Sequence, residues 1–289
     1  MNHQIYTQLN REIMEQRQWS IDTVPAFCIN MDKRKDRWIQ FSAQPGLARL
    51  PKLKRFPAIN GTALDIMNDT RIPLITKHNI MYKTRRAHEE LNTKGGIGCA
   101  LSHIGIWEWQ VKNNVPVVLI FEDDAKVMPD FVPYLNQVIQ ASPTLQNPDR
   151  WDFLNLANTR SAIKVLEPTS TLSTMDAFVG MQCYLITLPC ATKFLKEAYN
   201  LHLHIDLWVI VYKKVHGLDI MCLSKYVVRQ RASKTDIQDL EGCALCNLTN
   251  DFPKSHRFIS VEEFWLLRAM ELAFGLTAVY AAYQFIVKR

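Results

Sequence analysis

The stretch Val117-Val-Leu-Ile-Phe-Glu-Asp-Asp124 joins an apolar run to three consecutive carboxylates. An apolar run without alternation is typical of a strand covered on both faces, as in the centre of a parallel sheet. In open α/β sheets ligands bind beyond the carboxyl ends of the strands, so we expect the acids to face a cleft. Oxygen ligands suit Mg²⁺ or Mn²⁺, and Mg²⁺ commonly completes its coordination with substrate phosphates. The alternative is a loop whose acids are simply solvated.

A glycine-rich segment, Thr93-Lys-Gly-Gly-Ile-Gly-Cys-Ala-Leu-Ser-His103, lies upstream of that strand. Apolar residues at helical spacing follow the glycines, which predicts a glycine turn that opens a helix. Backbone N–H groups at a helix start bind anions, whereas the alternative is a tight turn without a ligand. His103 is either a hydrogen-bonded structural residue or a base or ligand.

A short strand is predicted from Val24, and the basic segment Lys33-Arg-Lys-Asp-Arg37 follows it. Basic side chains in the loop after the first strand of an α/β domain suit a diphosphate. The alternative is a solvated helix start with an acid near its N-terminus. This segment therefore favours a phosphate-bearing ligand only in combination with the other two motifs.

The three motifs, in this order, resemble glycosyltransferase family 25, which contains lipooligosaccharide and procollagen galactosyltransferases. The resemblance covers about residues 24–240. The segments that carry it are Cys28-Ile-Asn-Met-Asp-Lys-Arg-Lys-Asp-Arg-Trp38, Phe56-Pro-Ala-Ile-Asn-Gly61, Gly95-Gly-Ile-Gly-Cys-Ala-Leu-Ser-His103 with Trp107, Leu119-Ile-Phe-Glu-Asp-Asp124, Cys183-Tyr-Leu-Ile-Thr187, His204-Ile-Asp206, Val228-Arg-Gln230 and Thr235-Asp-Ile237. Their joint order and spacing make a chance match an unsatisfactory explanation.

The resemblance implies a GT-A-type, Rossmann-like α/β domain with a mainly parallel central sheet. It also implies a UDP-sugar donor, an Mn²⁺ or Mg²⁺ ion, and inverting transfer of a hexose such as galactose to a hydroxyl of a glycan, a lipid-linked saccharide or a protein. Carried over by position, Glu122 and Asp124 are the metal ligands. Donor-binding residues are expected at Asn30, Arg34, Arg37, Asn60, Gly61, Gly98, Ser102, Glu122 and Asp123.

An inverting transfer also needs a group that takes the proton of the acceptor hydroxyl. Asp206 and Asp236 are the candidates for this base or for acceptor contact, with His103 and His204 behind them. One departure from the family pattern is visible, because the family often has Glu where this chain has Gly96. Any contact made by that Glu side chain is therefore missing here.

The chain has 289 residues, of which 48% are hydrophobic and 21% charged, so it can bury one large core. We expect a polar, helical extension over 1–23, a catalytic domain over 24–260 and a hydrophobic helix over 261–289. The apolar stretch 264–287 predicts membrane insertion or interfacial attachment, with a buried terminal helix as the alternative.

The formal net charge of +6 suits an anionic donor or an anionic membrane surface. Without a concentrated basic stripe it does not indicate nucleic acid as a partner. The seven cysteines form no obvious disulfide framework. Cys243 and Cys246 are read as two free thiols in a turn, with a disulfide or redox pair as the alternative. No N-terminal signal peptide is visible. Together with the apolar stretch 264–287, this predicts a membrane-associated protein whose catalytic domain faces the cytosol.

Two other function classes stay open at this point. A non-catalytic relative would keep the fold as a binding module at a membrane. A nucleotidyltransferase would use similar acids, and only its donor chemistry would differ.

Overall fold

The computed structural model describes residues 19–83, 87, 89–157, 164–167 and 171–231, together with residues 269, 272, 273 and 277. Within these ranges the chain forms an eight-stranded sheet, a two-stranded ribbon and a set of helices around the sheet. The strands are β1 (Ala26–Asn30), β2 (Leu53–Pro57), β3 (Val117–Glu122), β4 (Ala125–Val127), β5 (Phe153–Asn155), β6 (Lys164–Glu167), β7 (Leu172–Thr174), β8 (Cys183–Thr187), β9 (Ile220–Leu223) and β10 (Val228–Gln230). The helices are α1 (Lys35–Ser42), α2 (Leu74–Tyr82), α3 (Lys94–Lys112), α4 (Phe131–Ala141), α5 (Leu188–Leu195) and α6 (Ile205–His216).

The large sheet has the strand order β2-β1-β3-β8-β5-β9-β7-β6. Strand β1 is parallel to β2 and β3, and β5 is parallel to β9, whereas β8 and β7 run against all of their neighbours. The predicted α/β class is confirmed, but the mainly parallel sheet is in fact mixed. The apolar pattern could not reveal this, because a strand buried on both faces looks the same in either direction.

Helices cover both faces of the sheet, which explains the apolar run of β3. Its apolar residues Val117–Phe121 are all buried, as predicted. Val118 and Ile120 pack in one core cluster with residues of α3, α5 and α6. Leu119 and Phe121 point the other way and pack with residues of α1 and α4. The sheet is therefore the middle layer of a three-layer sandwich.

Helix α3 begins earlier than the sequence indicated. The predicted glycine turn is wrong, because the helix starts at Lys94 and the glycines lie within its first turns. The Thr93 side chain caps the helix by accepting a hydrogen bond from the Gly96 N–H at 3.1 Å. A Cβ atom at Gly98 would lie 2.4 Å from the carbonyl oxygen of Ile59. The glycine thus serves close backbone approach rather than a turn.

Several predicted features lie outside the described residues. They include residues 1–18 of the polar extension, the Cys243 and Cys246 pair, and nearly all of 261–289. The predicted domain bounds therefore stay predictions. In the part of the chain that the structure describes, no helix has both the length and the apolar character needed to cross a bilayer.

Candidate functional site

The carboxyl ends of β1 and β3 lie side by side because the two strands are parallel neighbours. This places Asn30, the last residue of β1, beside the acids that end β3. A cleft opens at this edge of the sheet, between the strand ends and the first turns of α3. Its lining residues include Asn30, Lys33, Arg37, Ile59, Asn60, Gly61, Gly95, Cys99, Ser102, His103, Glu122, Asp123, Asp124 and Gln230.

Asp123 is the central acid of the triplet, and its carboxylate is held from two sides. Its Oδ2 accepts a hydrogen bond from Asn30 Nδ2 at 2.7 Å, and its Oδ1 accepts one from Arg37 at 2.9 Å. The Asn30 amide is oriented in turn by Arg55, whose Nε donates to Asn30 Oδ1 at 2.7 Å. These contacts fix the orientation of the Asp123 carboxylate, which lines the cleft.

Asp124 is held by a residue more than a hundred positions later in the chain. Its Oδ2 accepts a hydrogen bond from Gln230 Nε2 at 3.0 Å. Its other oxygen, Oδ1, is buried and has no hydrogen-bond partner among the described residues. Burial, together with the nearby Glu122 carboxylate, raises the pKa of Asp124 to about 6. Asp124 therefore carries an unused, partly desolvated oxygen ligand.

Glu122 is contacted by His103, which is the first of three buried polar side chains linked by hydrogen bonds. Its Oε1 lies 3.2 Å from His103 Nε2, and His103 Nδ1 lies 2.9 Å from the Tyr184 hydroxyl. The Tyr184 hydroxyl also accepts a hydrogen bond from Trp107 Nε1 at 3.1 Å. His103, Trp107 and Tyr184 are fully buried. The position of Glu122 thus depends on side chains from α3 and β8.

The opposite wall of the cleft is the segment between β2 and the short 3₁₀ turn Gly61–Ala63. Ser102 fastens this segment to α3, because its hydroxyl accepts the Ile59 N–H at 2.8 Å and donates to the Gly98 carbonyl at 2.6 Å. Asn60 caps the turn by accepting the Thr62 N–H. Of the predicted donor residues here, Ser102 and Gly98 therefore build the wall, and Asn60 and Gly61 form its surface.

Besides Gly98, three predicted residues of the described chain are not among those that line the cleft. Arg34 precedes α1 and pairs with the exposed Asp36. Asp206 lies in the first turn of α6, where its carboxylate accepts the backbone N–H groups of Gly180 at 2.8 Å and Leu207 at 2.9 Å. His204 is the residue before α6. Asp236 lies outside the described residues, so its role as a base stays a prediction.

The sequence reasoning missed three residues of the site. Gln230 was noticed only as part of a motif, yet it holds Asp124. Tyr184 was named only within the family segment Cys183–Thr187, and Cys99 only within the glycine-rich segment. A polar residue within an otherwise apolar strand signals Tyr184, and the helical spacing of Cys99 and His103 places both on one face of α3. Gln230 carries no local signal.

Two sets of side chains could hold a divalent ion. Cys99, His103 and Glu122 have ligand atoms within 4.8 Å of one another. Burial raises the pKa of the Cys99 thiol well above its usual range, and the thiol form is a poor ligand. The carboxylates of Glu122 and Asp124 offer hard oxygen ligands, and one of these oxygens, Asp124 Oδ1, has no hydrogen-bond partner within the ranges that the structure describes. Carboxylate oxygens are the ligand type that Mn²⁺ and Mg²⁺ prefer.

A family model described as glycosyltransferase family 25 (LPS biosynthesis protein) matches residues 23–209. The match includes the ends of β1 and β3, the wall of the cleft and all of α3. It stops before Gln230.

Curated relatives agree with this match. A glycosyltransferase 25 family member from Aedes aegypti is 31% identical over 49% of this chain and 23% of its own length. A member from Drosophila melanogaster is 25% identical over 58% of this chain and 31% of its own length. A Bos taurus relative, named a probable inactive glycosyltransferase 25 family member 3, is 31% identical over 34% of this chain and 16% of its own length. The chain thus spans less than a third of these longer relatives. By sequence and by the arrangement of its motifs, the chain belongs to glycosyltransferase family 25.

Proposed function

We propose that this chain is a metal-dependent glycosyltransferase domain. It would transfer a hexose such as galactose from a UDP-sugar to a hydroxyl of a glycan, a lipid-linked saccharide or a protein, with inversion. The observation that carries this proposal is the Asp124 carboxylate, whose buried Oδ1 has no hydrogen-bond partner in the described part of the chain and lies beside Glu122 in the cleft. A bound cation would supply the missing positive charge.

The residues of the cleft suit this reaction. Glu122 and Asp124 would hold Mn²⁺ or Mg²⁺, which when bound offsets the charge of the diphosphate leaving group. Lys33 and the N-terminal turns of α3 border the same cleft and favour an anionic donor. Asn60 and Gly61 present a polar backbone wall to the donor. Asp236 and Asp206 remain our candidates for the residue that takes the acceptor proton.

The first test needs no acceptor, because transferases of this kind hydrolyse donors slowly in water. We would measure UDP release by the full chain from a panel of UDP-sugars, with Mn²⁺ and with a chelator. Asp124→Asn removes one charged ligand but keeps the side-chain shape, so metal-stimulated release should be abolished. The matched control, Asp149→Asn, changes an exposed acid that does not line the cleft and should release UDP like the unaltered chain.

Two results would contradict the proposal. The first is unchanged metal-stimulated release by Asp124→Asn. The second is no release across the panel together with no donor binding by calorimetry.

A binding module without turnover is the second candidate, and the bovine relative named as inactive favours it. In that case UDP-sugars would bind to the full chain in calorimetry, but no UDP would appear with any metal. Donor binding and donor turnover, measured on the same preparation, therefore separate the two functions.

A further inference from the structure

The buried polar row Trp107–Tyr184–His103–Glu122 joins three elements behind the cleft. Trp107 and His103 lie on one face of α3, Tyr184 is in β8 and Glu122 ends β3. The links are 3.1, 2.9 and 3.2 Å long. Its first three members are fully buried. These three side chains therefore have no access to water that could replace their partners, whereas Glu122 also faces the cleft.

The hydrogens in this row can be assigned from its two ends. The Trp107 indole N–H only donates, so the Tyr184 oxygen accepts from it. The carboxylate of Glu122 only accepts when ionised, so His103 Nε2 carries a hydrogen and donates to it. The Tyr184 hydroxyl then donates to His103 Nδ1. Every group in the row is satisfied with a neutral imidazole protonated at Nε2.

The opposite tautomer leaves the row unsatisfied. With the hydrogen on Nδ1, both Trp107 and His103 would donate to the Tyr184 oxygen, and the phenol hydrogen would have no acceptor within the row. The bare Nε2 lone pair would then face the Glu122 carboxylate. Leaving such groups unpaired in the interior is unfavourable, which disfavours this tautomer.

We infer that His103 is a positioning residue: held as one tautomer by Tyr184 and Trp107, it donates to Glu122 Oε1 and aims the carboxylate at the cation. This inference rests on the proposed function, because it assigns Glu122 to the metal. It also assigns a role to Trp107 and Tyr184, which line no part of the cleft. In this arrangement His103 is neither the base nor a metal ligand, since its Nε2 lone pair is absent.

Two substitutions of His103 should differ in their effect on Mn²⁺ binding. His103→Gln keeps an N–H donor at a reach similar to that of Nε2, so it should keep most of the Mn²⁺ affinity. His103→Leu has no donor and should weaken Mn²⁺ binding about 10- to 100-fold, the usual effect of losing a partner of a metal ligand. A general base would behave differently, because Gln cannot take a proton.

A third variant tests the far end of the row. Tyr184→Phe keeps the ring that stacks on Phe153 at 4.6 Å but removes the hydroxyl. The imidazole of His103 then loses the partner of its Nδ1 and is held by Glu122 alone, so Mn²⁺ binding should weaken in the same direction as in His103→Leu. The matched control is Tyr199→Phe, which removes a hydroxyl bonded to Glu108 outside the cleft lining and should leave Mn²⁺ binding unchanged.

The experiment has two measurements on the full-length chain. Imidazole ¹⁵N NMR without metal reports the tautomer, with the His103 signal assigned by its loss in His103→Gln. Calorimetry with Mn²⁺ and UDP gives the affinity for each variant. The inference is supported if the ¹⁵N signals show that only Nε2 of His103 carries a hydrogen. It also requires that Mn²⁺ binding is weakened in His103→Leu and Tyr184→Phe but not in the other variants.

Other outcomes overturn it in distinguishable ways. A His103 signal protonated at Nδ1, or equal Mn²⁺ affinity for His103→Leu and the unaltered chain, overturns the inference and leaves the proposed function standing. Failure of the unaltered chain to bind Mn²⁺ at all overturns both.

Discussion

At the scale of single residues, the surroundings of Asp124 disfavour the ionised form of its carboxylate. Burial and the Glu122 carboxylate raise its pKa to about 6, whereas the ordinary value is 3.8. The folded protein therefore binds this proton more tightly than the unfolded chain does. The stability that comes from the protonated form is fully present below pH 3.8 and is lost as the pH rises through about 6.

This shift predicts a pH-dependent effect of Asp124→Asn on the metal-free protein. Asn has no charge to bury, so Asp124→Asn should raise the unfolding free energy relative to the unaltered chain. This increase should be about 1 kcal/mol larger at pH 7.5 than at pH 5, because Asp124 is ionised in the folded protein only at the higher pH. Urea unfolding in chelator at the two pH values measures the difference. Asp36→Asn is the control, because the exposed Asp36, paired with Arg34, has a lowered pKa of about 2 and is ionised at both pH values. An equal gain for Asp124→Asn at both pH values would contradict the burial argument.

The surroundings of Asp124 show which parts of the site could be predicted from the sequence. The apolar run and the acids at its end are neighbours in the chain, so the triplet 122–124 could be predicted to face a cleft. The choice of Glu122 and Asp124 within it came from the family resemblance. The Gln230 contact was not predictable in this way, since it joins residues 106 positions apart. The tautomer of His103 likewise depends on Tyr184, 81 positions away. Local patterns indicated where the cleft lies, but the pairing of its side chains is a property of the packed fold.

At the scale of elements, the approach of α3 to the 3₁₀ turn Gly61–Ala63 shapes the cleft wall. A Cβ atom at Gly98 would lie 2.4 Å from the Ile59 oxygen and 2.7 Å from the Gly61 nitrogen, both in the backbone. Gly98→Ala should therefore push the wall outward. We expect a loss of about 1 to 3 kcal/mol in unfolding free energy and weaker UDP binding, measured by urea unfolding and calorimetry.

Gly105→Ala is a matched control within the same helix. There the new methyl group would meet the ring of Phe56 at 3.3 Å, and a side chain can yield where backbone cannot. Alanine also favours the helix interior over glycine by about 1 kcal/mol, so this variant should be near neutral or stabilised. If both alanine variants unfold alike, close backbone approach at Gly98 is not the reason for its glycine.

At the scale of the whole molecule, we propose that the segment 264–287 attaches the domain to a membrane. Within it, Leu272 is helical and 69% exposed, so Leu272→Glu should leave the packing of the fold intact. A charge there opposes burial in lipid, and we expect the full chain carrying it to bind anionic liposomes more weakly in a flotation assay.

The control for this experiment is Leu74→Glu, the same change at a site that is 80% exposed at the start of α2. It alters the net charge equally but lies far from 264–287 in the chain. Liposome binding that falls equally in both variants would point to the overall charge of +6 rather than to the segment.

The bond between Gln230 and Asp124 has a consequence for biosynthesis. The family match ends at residue 209, and every acid of the cleft has been synthesised by then. Strand β10, which pairs with β4 and brings Gln230 to Asp124, leaves the ribosome only afterwards. A nascent chain that has emerged only to residue 209 would thus display its carboxylates without the strand that secures the last of them. The site would mature only after β10 has been synthesised, when the ribbon closes.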